Sequence, residues 1–210
     1  MKTELVFILD KSGSMSGLEK DTIGGFNSLV AKQRKEEGEA IITTVLFDHD
    51  CELLHDRIDM DGISPMTEEE YRLGGTTALL DAIGMTIQKI AKAHQHTKQE
   101  VRPEKVLVVI TTDGMENASR EFTIEKVRHL VSDKQKTGWE FLFLGANIDA
   151  LSTADSYGIK QENAVNFHAD EAGMQLNYQV VNEAVSSFRQ GRKLEKSWKQ
   201  EIEQDFETRK

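Results

Sequence analysis

The sequence has one cysteine, Cys51, in 210 residues, so no internal disulfide can staple it. It is also short of positive charge. With 26 Lys and Arg against 36 Asp and Glu, its formal net charge is −10. That balance opposes a nucleic-acid or anionic-membrane surface, both of which need clustered basic residues to displace counterions. A metal cation suits it better. There is no run of about 18 apolar residues, so no membrane-spanning helix is expected. The apolar stretch within Met1 to Asp10 is too short for a signal peptide. The expected location is therefore the cytoplasm. Internal repeats and low-complexity linkers are absent too, and the length suits one α/β domain with a short appendage.

What is present is an alternation of strand and helix patterns. Leu5 to Leu9 is a wholly apolar run ending at an acid, as expected of a central strand covered on both faces. Ser16 with Glu19 has the spacing of a capping box, and Ile23, Phe26 and Val30 recur at helical spacing through about Glu36. Ile41 to Phe47 and Glu52 to Ile58 read as a hairpin about the turn Asp48-His49-Asp50, so one strand of the pair runs antiparallel to the first. After Gly74-Gly75-Thr76-Thr77 comes a helix with Leu80, Ile83, Ile87 and Ile90 on one face. Val106 to Ile110 is a second apolar strand ending near an acid, Asp113. Thr123 can cap a helix carrying Ile124, Val127 and Val131 that stops near Gly138. Strands follow at Phe141 to Leu144 and Ala164 to Phe167, and a helix carries Met174, Val181, Val185 and Phe188.

This order specifies a doubly wound, mostly parallel six-stranded α/β sheet with one antiparallel edge strand and helices on both faces. The domain is expected over residues 1–190. Residues 191–210 form a charged amphipathic C-terminal helix or tail, in which Leu194, Trp198, Ile202 and Phe206 trace a stripe at spacing four. Such a stripe packs on its own domain or hooks a partner.

Ligands of open α/β sheets bind beyond the carboxyl ends of the strands. Three polar loops belong there: Asp10-Lys11-Ser12-Gly13-Ser14, Gly75-Thr76-Thr77 and Thr112-Asp113-Gly114. They offer two carboxylates and several hydroxyls, with no nearby His or Cys. Hard oxygen donors and room for water favour Mg²⁺ over Ca²⁺, with Mn²⁺ a substitute.

Asp10-x-Ser12-x-Ser14, then Gly74-Gly75-x-Thr77 before Ala78-Leu79-Leu80-Asp81-Ala82-Ile83, then Thr112-Asp113-Gly114 resemble the metal-ion-dependent adhesion site of von Willebrand factor type A domains. The resemblance covers roughly residues 1–190. It is similar to a bacterial and phage branch through Gly145-Ala146-Asn147-x-Asp149-Ala150. It implies Ser12 and Ser14 as direct metal ligands, Asp10 and Asp113 holding metal-bound waters and the serine hydroxyls, and Thr77 as a direct ligand in the binding-competent state. Thr76 stands where the family commonly has glycine, so either threonine is a candidate to reach the metal.

A cation held mainly by neutral hydroxyls keeps uncompensated charge and seeks an external anionic oxygen, which a partner protein's Asp or Glu supplies. The function read from this is a non-enzymatic, Mg²⁺-dependent adaptor. Further rim candidates for the partner are Lys11, Met15, Thr76, Asn147 and Asp149, of which Asn147 and Asp149 also suit ordinary loop and cap roles. One alternative is a metal-dependent phosphohydrolase of haloacid dehalogenase type, which needs a second acid two residues after its nucleophile, where Ser12 stands. Another is a scaffold with a purely structural metal. The cluster Asp48, His49, Asp50 and Cys51 fits a hairpin turn, and His94 and His96 fit a helix end. Asp10 is expected on the rim, so that its loss spares the fold.

Overall fold

The computed structural model describes residues 2–209; Met1 and Lys210, the outer ends of the two expected segments, lie outside the described residues. Six strands, β1 (Lys2–Asp10), β2 (Glu39–Phe47), β3 (Cys51–Asp59), β4 (Lys105–Thr112), β5 (Trp139–Gly145) and β6 (Ala164–Asn166), form one sheet in the order β3-β2-β1-β4-β5-β6. All neighbours are parallel except the β2–β3 hairpin, which puts the antiparallel strand at the edge. The helices are α1 (Glu19–Gln33), α2 (Leu79–Gln95), α3 (Ile124–Gln135), α4 (Ala150–Ser156), α5 (Glu171–Arg189) and α6 (Gln200–Thr208). No helix of the described residues is long and apolar enough to cross a membrane.

The side-chain alternation of β1 divides the core in two. Leu5, Phe7 and Leu9 face the layer of α1, α5 and α6, with Phe26, Leu29, Val181 and Ile202. Val6 and Ile8 face the layer of α2, α3 and α4, with Ile83, Ile87, Val127 and Ala154. A strand that is apolar on both sides is required by this sandwich, which is why the runs in β1 and β4 lack any polar interruption.

The start of α1 differs from the expected capping box. Residues 13–15 form a single 3₁₀ turn, the chain bends at Gly17 with φ +93°, and α1 begins at Glu19. Glu19 reaches back to accept from the Gly17 backbone N–H at 2.7 Å, and Ser16 makes no cap. Thr123 does cap α3, accepting from Lys126 N, and Gly138 with φ +87° follows its end. The helix α4 carries no periodic signal long enough to be read from sequence; Asp149 caps it. His94, expected to serve helix-end carbonyls, instead places Nε2 2.6 Å from the fully buried Glu4 carboxylate, which also accepts from Arg57 Nε at 2.8 Å.

Residues 191–208 are not one continuous helix. After α5 come an irregular stretch, a 3₁₀ turn at Lys196–Lys199, and then α6. All four stripe residues nevertheless face this domain. Ile202 is buried in the core, Leu194 and Trp198 pack against it, and Phe206 stacks on His168 at 4.7 Å. Trp198 Nε1 donates to Glu162 O at 3.1 Å, and the buried Lys199 Nζ donates to Gln161 O at 3.0 Å and Ala164 O at 2.7 Å. The tail thereby covers the outer edge of β6.

His55 is buried on the opposite edge strand, stacked on Phe26. Its Nε2 lies 3.1 Å from Ser64 O, an obligate acceptor, so the ring proton sits on Nε2; Nδ1, 3.0 Å from Thr44 Oγ1, accepts from that hydroxyl. Burial holds its pKa below the ordinary histidine value, partly offset by the Ser64 carbonyl. Proton uptake therefore favours the unfolded chain. The contribution is full above about pH 6.5 and is lost as pH falls through the lower folded value. We expect the urea midpoint of the wild type to drop over that window more steeply than that of His55→Gln; parallel curves would remove His55 as the cause.

Candidate functional site

The topology switches direction between β1 and β4, whose neighbours on their far sides are β2 and β5. At that crevice Asp10, the last residue of β1, lies beside Thr112, the last of β4. Asp10 is 1% exposed, and its carboxylate accepts from Ser12 N at 2.7 Å and from Thr112 Oγ1 at 2.6 Å. It is a buried residue and not an exposed rim side chain, because the loop folds back over the strand end. Where the sequence placed it on the rim with its loss sparing the fold, burial makes its removal costly: deletion is expected to lower stability by orphaning the buried Ser12 N–H, while Thr112 Oγ1 keeps a second acceptor in Gly114 O at 3.2 Å.

From this anchor the hydroxyls follow in sequence. Ser12 Oγ lies 3.1 Å from Ser14 Oγ, and Ser14 Oγ donates to Asp113 Oδ1 at 2.5 Å. The third loop is drawn in by backbone bonds, Gly13 N to Gly75 O at 3.1 Å and Gly74 N to Lys11 O at 2.8 Å. Gly74 is required there, since a Cβ would stand 1.6 Å from Asp48 Oδ2. Thr77 is buried, and its Oγ1 and Ser14 Oγ both approach the Cβ side of Gly114, at 3.8 and 3.4 Å from where that atom would be. Thr76 is exposed and lines a separate cavity of about 880 Å³ with His49, Asp50, Cys51, Asp81 and Met85.

Burial raises the pKa of Asp10 above the usual carboxylate value against the opposing hydrogen bonds of Ser12 and Thr112. Asp113 is raised likewise, first by burial and further by the Asp10 charge, with Ser14 opposing. Among the described residues no Lys, Arg or His forms an ion pair with either carboxylate. Two buried acids, surrounded by hydroxyls and lacking a counter-charge, are what a divalent cation would relieve. Only two of the donors are carboxylates, and no group of three His, Cys, Asp or Glu side chains suited to a metal occurs among the described residues. A metal here depends on hydroxyl ligands.

The expected rim residues separate. Met15 is 1% exposed in the core and presents nothing to a partner, because the 3₁₀ turn points it inward. Lys11 is tied to Glu52 at 2.9 Å and Asp48 at 4.0 Å, so its charge is spent on the hairpin. Asn147 is exposed with φ +56°, and its Nδ2 donates to Asp113 O at 3.3 Å. Asp149 is exposed and occupied in capping α4 through Ser152 N and Oγ. The Asp48-to-Cys51 cluster forms the hairpin turn, with Asp48 Oδ1 accepting from Asp50 N, and burial pushes the Cys51 thiol up to about 12.

Sequence reasoning missed three supports. Tyr71 OH donates to the Asp10 carbonyl. Asn117 clamps Thr77 in both directions, Oδ1 accepting from Thr77 N at 2.9 Å and its own N–H donating to Thr77 O at 3.0 Å. Glu116 accepts from Leu80 N at 2.8 Å at the start of α2. No local pattern announces these long-range partners; the only signal is the polar composition of residues 116–119 after the second acid loop.

No protein-family model matches the chain, and no curated protein matches it in sequence. Solved structures do match it in fold. Proximal thread matrix protein 1 from the mussel byssus, in a structure with a zinc-occupied MIDAS motif, superposes with TM-score 0.59 at 16% identity, over 88% of this chain and 46% of that one. The ArnB paralog VWA2 from Sulfolobus acidocaldarius gives 0.57 at 19%, over 87% and 44%. A D319A mutant of the PilB minor pilin from Streptococcus sanguinis gives 0.62 at 12%, over 90% and 62%. This chain spans about half the length of the first two. A von Willebrand factor type A structure from Catenulispora acidiphila is similar to the same extent, with TM-score 0.60 at 13% identity, and the fold of this chain is that of a von Willebrand factor type A domain.

Proposed function

We propose that the three loops hold one Mg²⁺, with Mn²⁺ as a substitute, and that the ion captures an Asp or Glu carboxylate from a partner protein. Ser12, Ser14 and Thr77 would be the hydroxyl ligands, with Asp10 and Asp113 acting through water and through the serines. The observation that carries the reading is the pair of buried, unpaired carboxylates laced by Ser12, Ser14 and Thr112 hydroxyls. The occupied MIDAS motif in the mussel protein supports it at the level of fold. Neutral inner donors leave the ion's charge available to an outside anion, which gives an acidic protein a local attraction for an acidic partner.

The reading is non-enzymatic: Ser12, and not a second acid, stands two residues after Asp10, and these loops contain no His or Cys. The Gly145 to Ala150 loop resembles that of a bacterial and phage branch, and the single cysteine suits a reducing compartment such as the cytoplasm.

The test is affinity capture from native lysate in Mg²⁺ and in EDTA, followed by titration of the recovered partner and of Mg²⁺ against wild type and Thr77→Ala. Thr77→Ala is expected to weaken the partner about tenfold to a hundredfold, and more than it weakens Mg²⁺. Partner affinity unchanged by EDTA would leave only a structural metal and overturn the capture mechanism.

A further inference from the structure

Met115 is the most exposed large hydrophobic side chain of the described residues, at 73%. Its place is not incidental. Gly114, just before it, is the residue over which the Ser14 and Thr77 hydroxyls converge. Glu116, just after it, is fixed at the start of α2: its carboxylate accepts from Leu80 N at 2.8 Å, Ala118 N at 2.9 Å, Ser119 N at 2.7 Å and Ser119 Oγ at 2.8 Å. The next residue, Asn117, is clamped to Thr77 in both directions. The backbone after Met115 is therefore held, and the side chain is displayed to solvent next to the three loops. A methionine presented in this way is a pre-organised apolar contact that adapts to the shape it meets, and binding gains its burial without the cost of ordering the loop.

Resting on the reading of the three loops as a carboxylate-capturing cation site, we propose that Met115 is the second point of contact for the partner, and that the partner presents an acid with a large apolar residue two positions away in an extended segment. The spacing follows from strand geometry. Side chains alternate in an extended segment, so the neighbour on the same face as the acid is two residues off, roughly 6 to 7 Å along the chain. Met115 is one residue beyond Gly114, over which the Ser14 and Thr77 hydroxyls converge, so the flexible methionine starts beside the cation site. The acid meets the cation, and the apolar side chain meets Met115.

A displayed peptide library with a fixed central Asp or Glu and randomised flanks, panned on the full chain in Mg²⁺ with EDTA as background, tests this directly. Leu, Ile, Phe or Met should be enriched two positions from the acid on one side. For a synthetic pair differing only in Leu or Gly at that position, the Leu peptide should bind wild type about tenfold tighter. Met115→Ser should remove that difference and Met115→Leu should retain it, while a Mg²⁺ titration of each variant checks that the loop is intact. Recovery of acidic peptides with random flanks would overturn the Met115 contact and leave carboxylate capture standing. A preference that survives in Met115→Ser would overturn the contact in the same way. Failure to recover any acidic sequence in a Mg²⁺-dependent way would overturn both.

Discussion

Asp10→Asn is expected to abolish Mg²⁺ binding in calorimetry and to remove the thermal stabilisation that Mg²⁺ gives the wild type. At about a hundredfold excess over its dissociation constant, the ion adds about 2.7 kcal/mol, which corresponds to a melting shift of roughly 5 to 10 °C for a chain of this size. Asparagine is the informative substitution because it fits the existing hydrogen bonds. Its oxygen can accept from Ser12 N, its amide can donate to Thr112 Oγ1, and that hydroxyl has a second acceptor in Gly114 O at 3.2 Å. In EDTA the variant should melt at or above the wild type, since it removes a buried charge that no cationic side chain of the described residues offsets. Asp10→Ala, by contrast, leaves the buried Ser12 N without its acceptor and should lower the melting point even in EDTA. Melts of wild type that coincide in Mg²⁺ and EDTA would remove the cation from the site.

Ending the chain after Gln190 is expected to destabilise it strongly and to make it self-associate. Ile202 is 1% exposed, and Ile202→Ala alone should cost about 2 to 4 kcal/mol through lost burial and the cavity left behind. Truncation also removes Trp198 and Lys199. The Lys199 ammonium has all its donors used, on Gln161 O, Ala164 O and Glu203 Oε1, the last at 3.0 Å. Without it the Ala164 carbonyl lies open at the edge of β6, where another copy could pair, while Gln161 O keeps only its bond from Ala164 N. Lys199→Met separates the two effects, because it keeps much of the apolar stem and deletes only the cap. Sedimentation of the truncated chain and of Lys199→Met should show species heavier than the wild type. If both remain monomeric and melt with the wild type, the tail contributes neither stability nor edge protection.

The sheet class, most of its strands and the three loops could be read from the sequence because each is written locally. A run apolar at every position, as in Leu5 to Leu9 or Val106 to Ile110, has few structural outlets other than a strand covered on both faces. The hairpin was marked by its polar turn, and α2 by its apolar stripe. What escaped the sequence depends on partners far along the chain. Ser16 has the composition of a cap, but the 3₁₀ turn ahead of it moves the start of α1 to Glu19. The same turn makes Met15 a core residue. Tyr71, Asn117 and Glu116 support the site through contacts to Asp10, Thr77 and Leu80 across 61, 40 and 36 positions, which no periodicity encodes. The site hydroxyls were legible; the hydrogen bonds that hold them were not.

The strand that opens the chain is the middle of its sheet. β1 bonds on one side to β2, which is near in sequence, and on the other to β4, where Thr3 registers with Lys105. Until that second half arrives, one side of β1 is an unfinished edge, and the Thr112-to-Asp10 bond must wait for a loop of 102 residues to close. The crevice between the two strand ends is therefore among the last things the folding chain makes. A divalent ion finds nothing to bind on a half-built sheet. The proposed ion would close only over a finished one, and would then slow the route out of the native state while leaving the route in untouched.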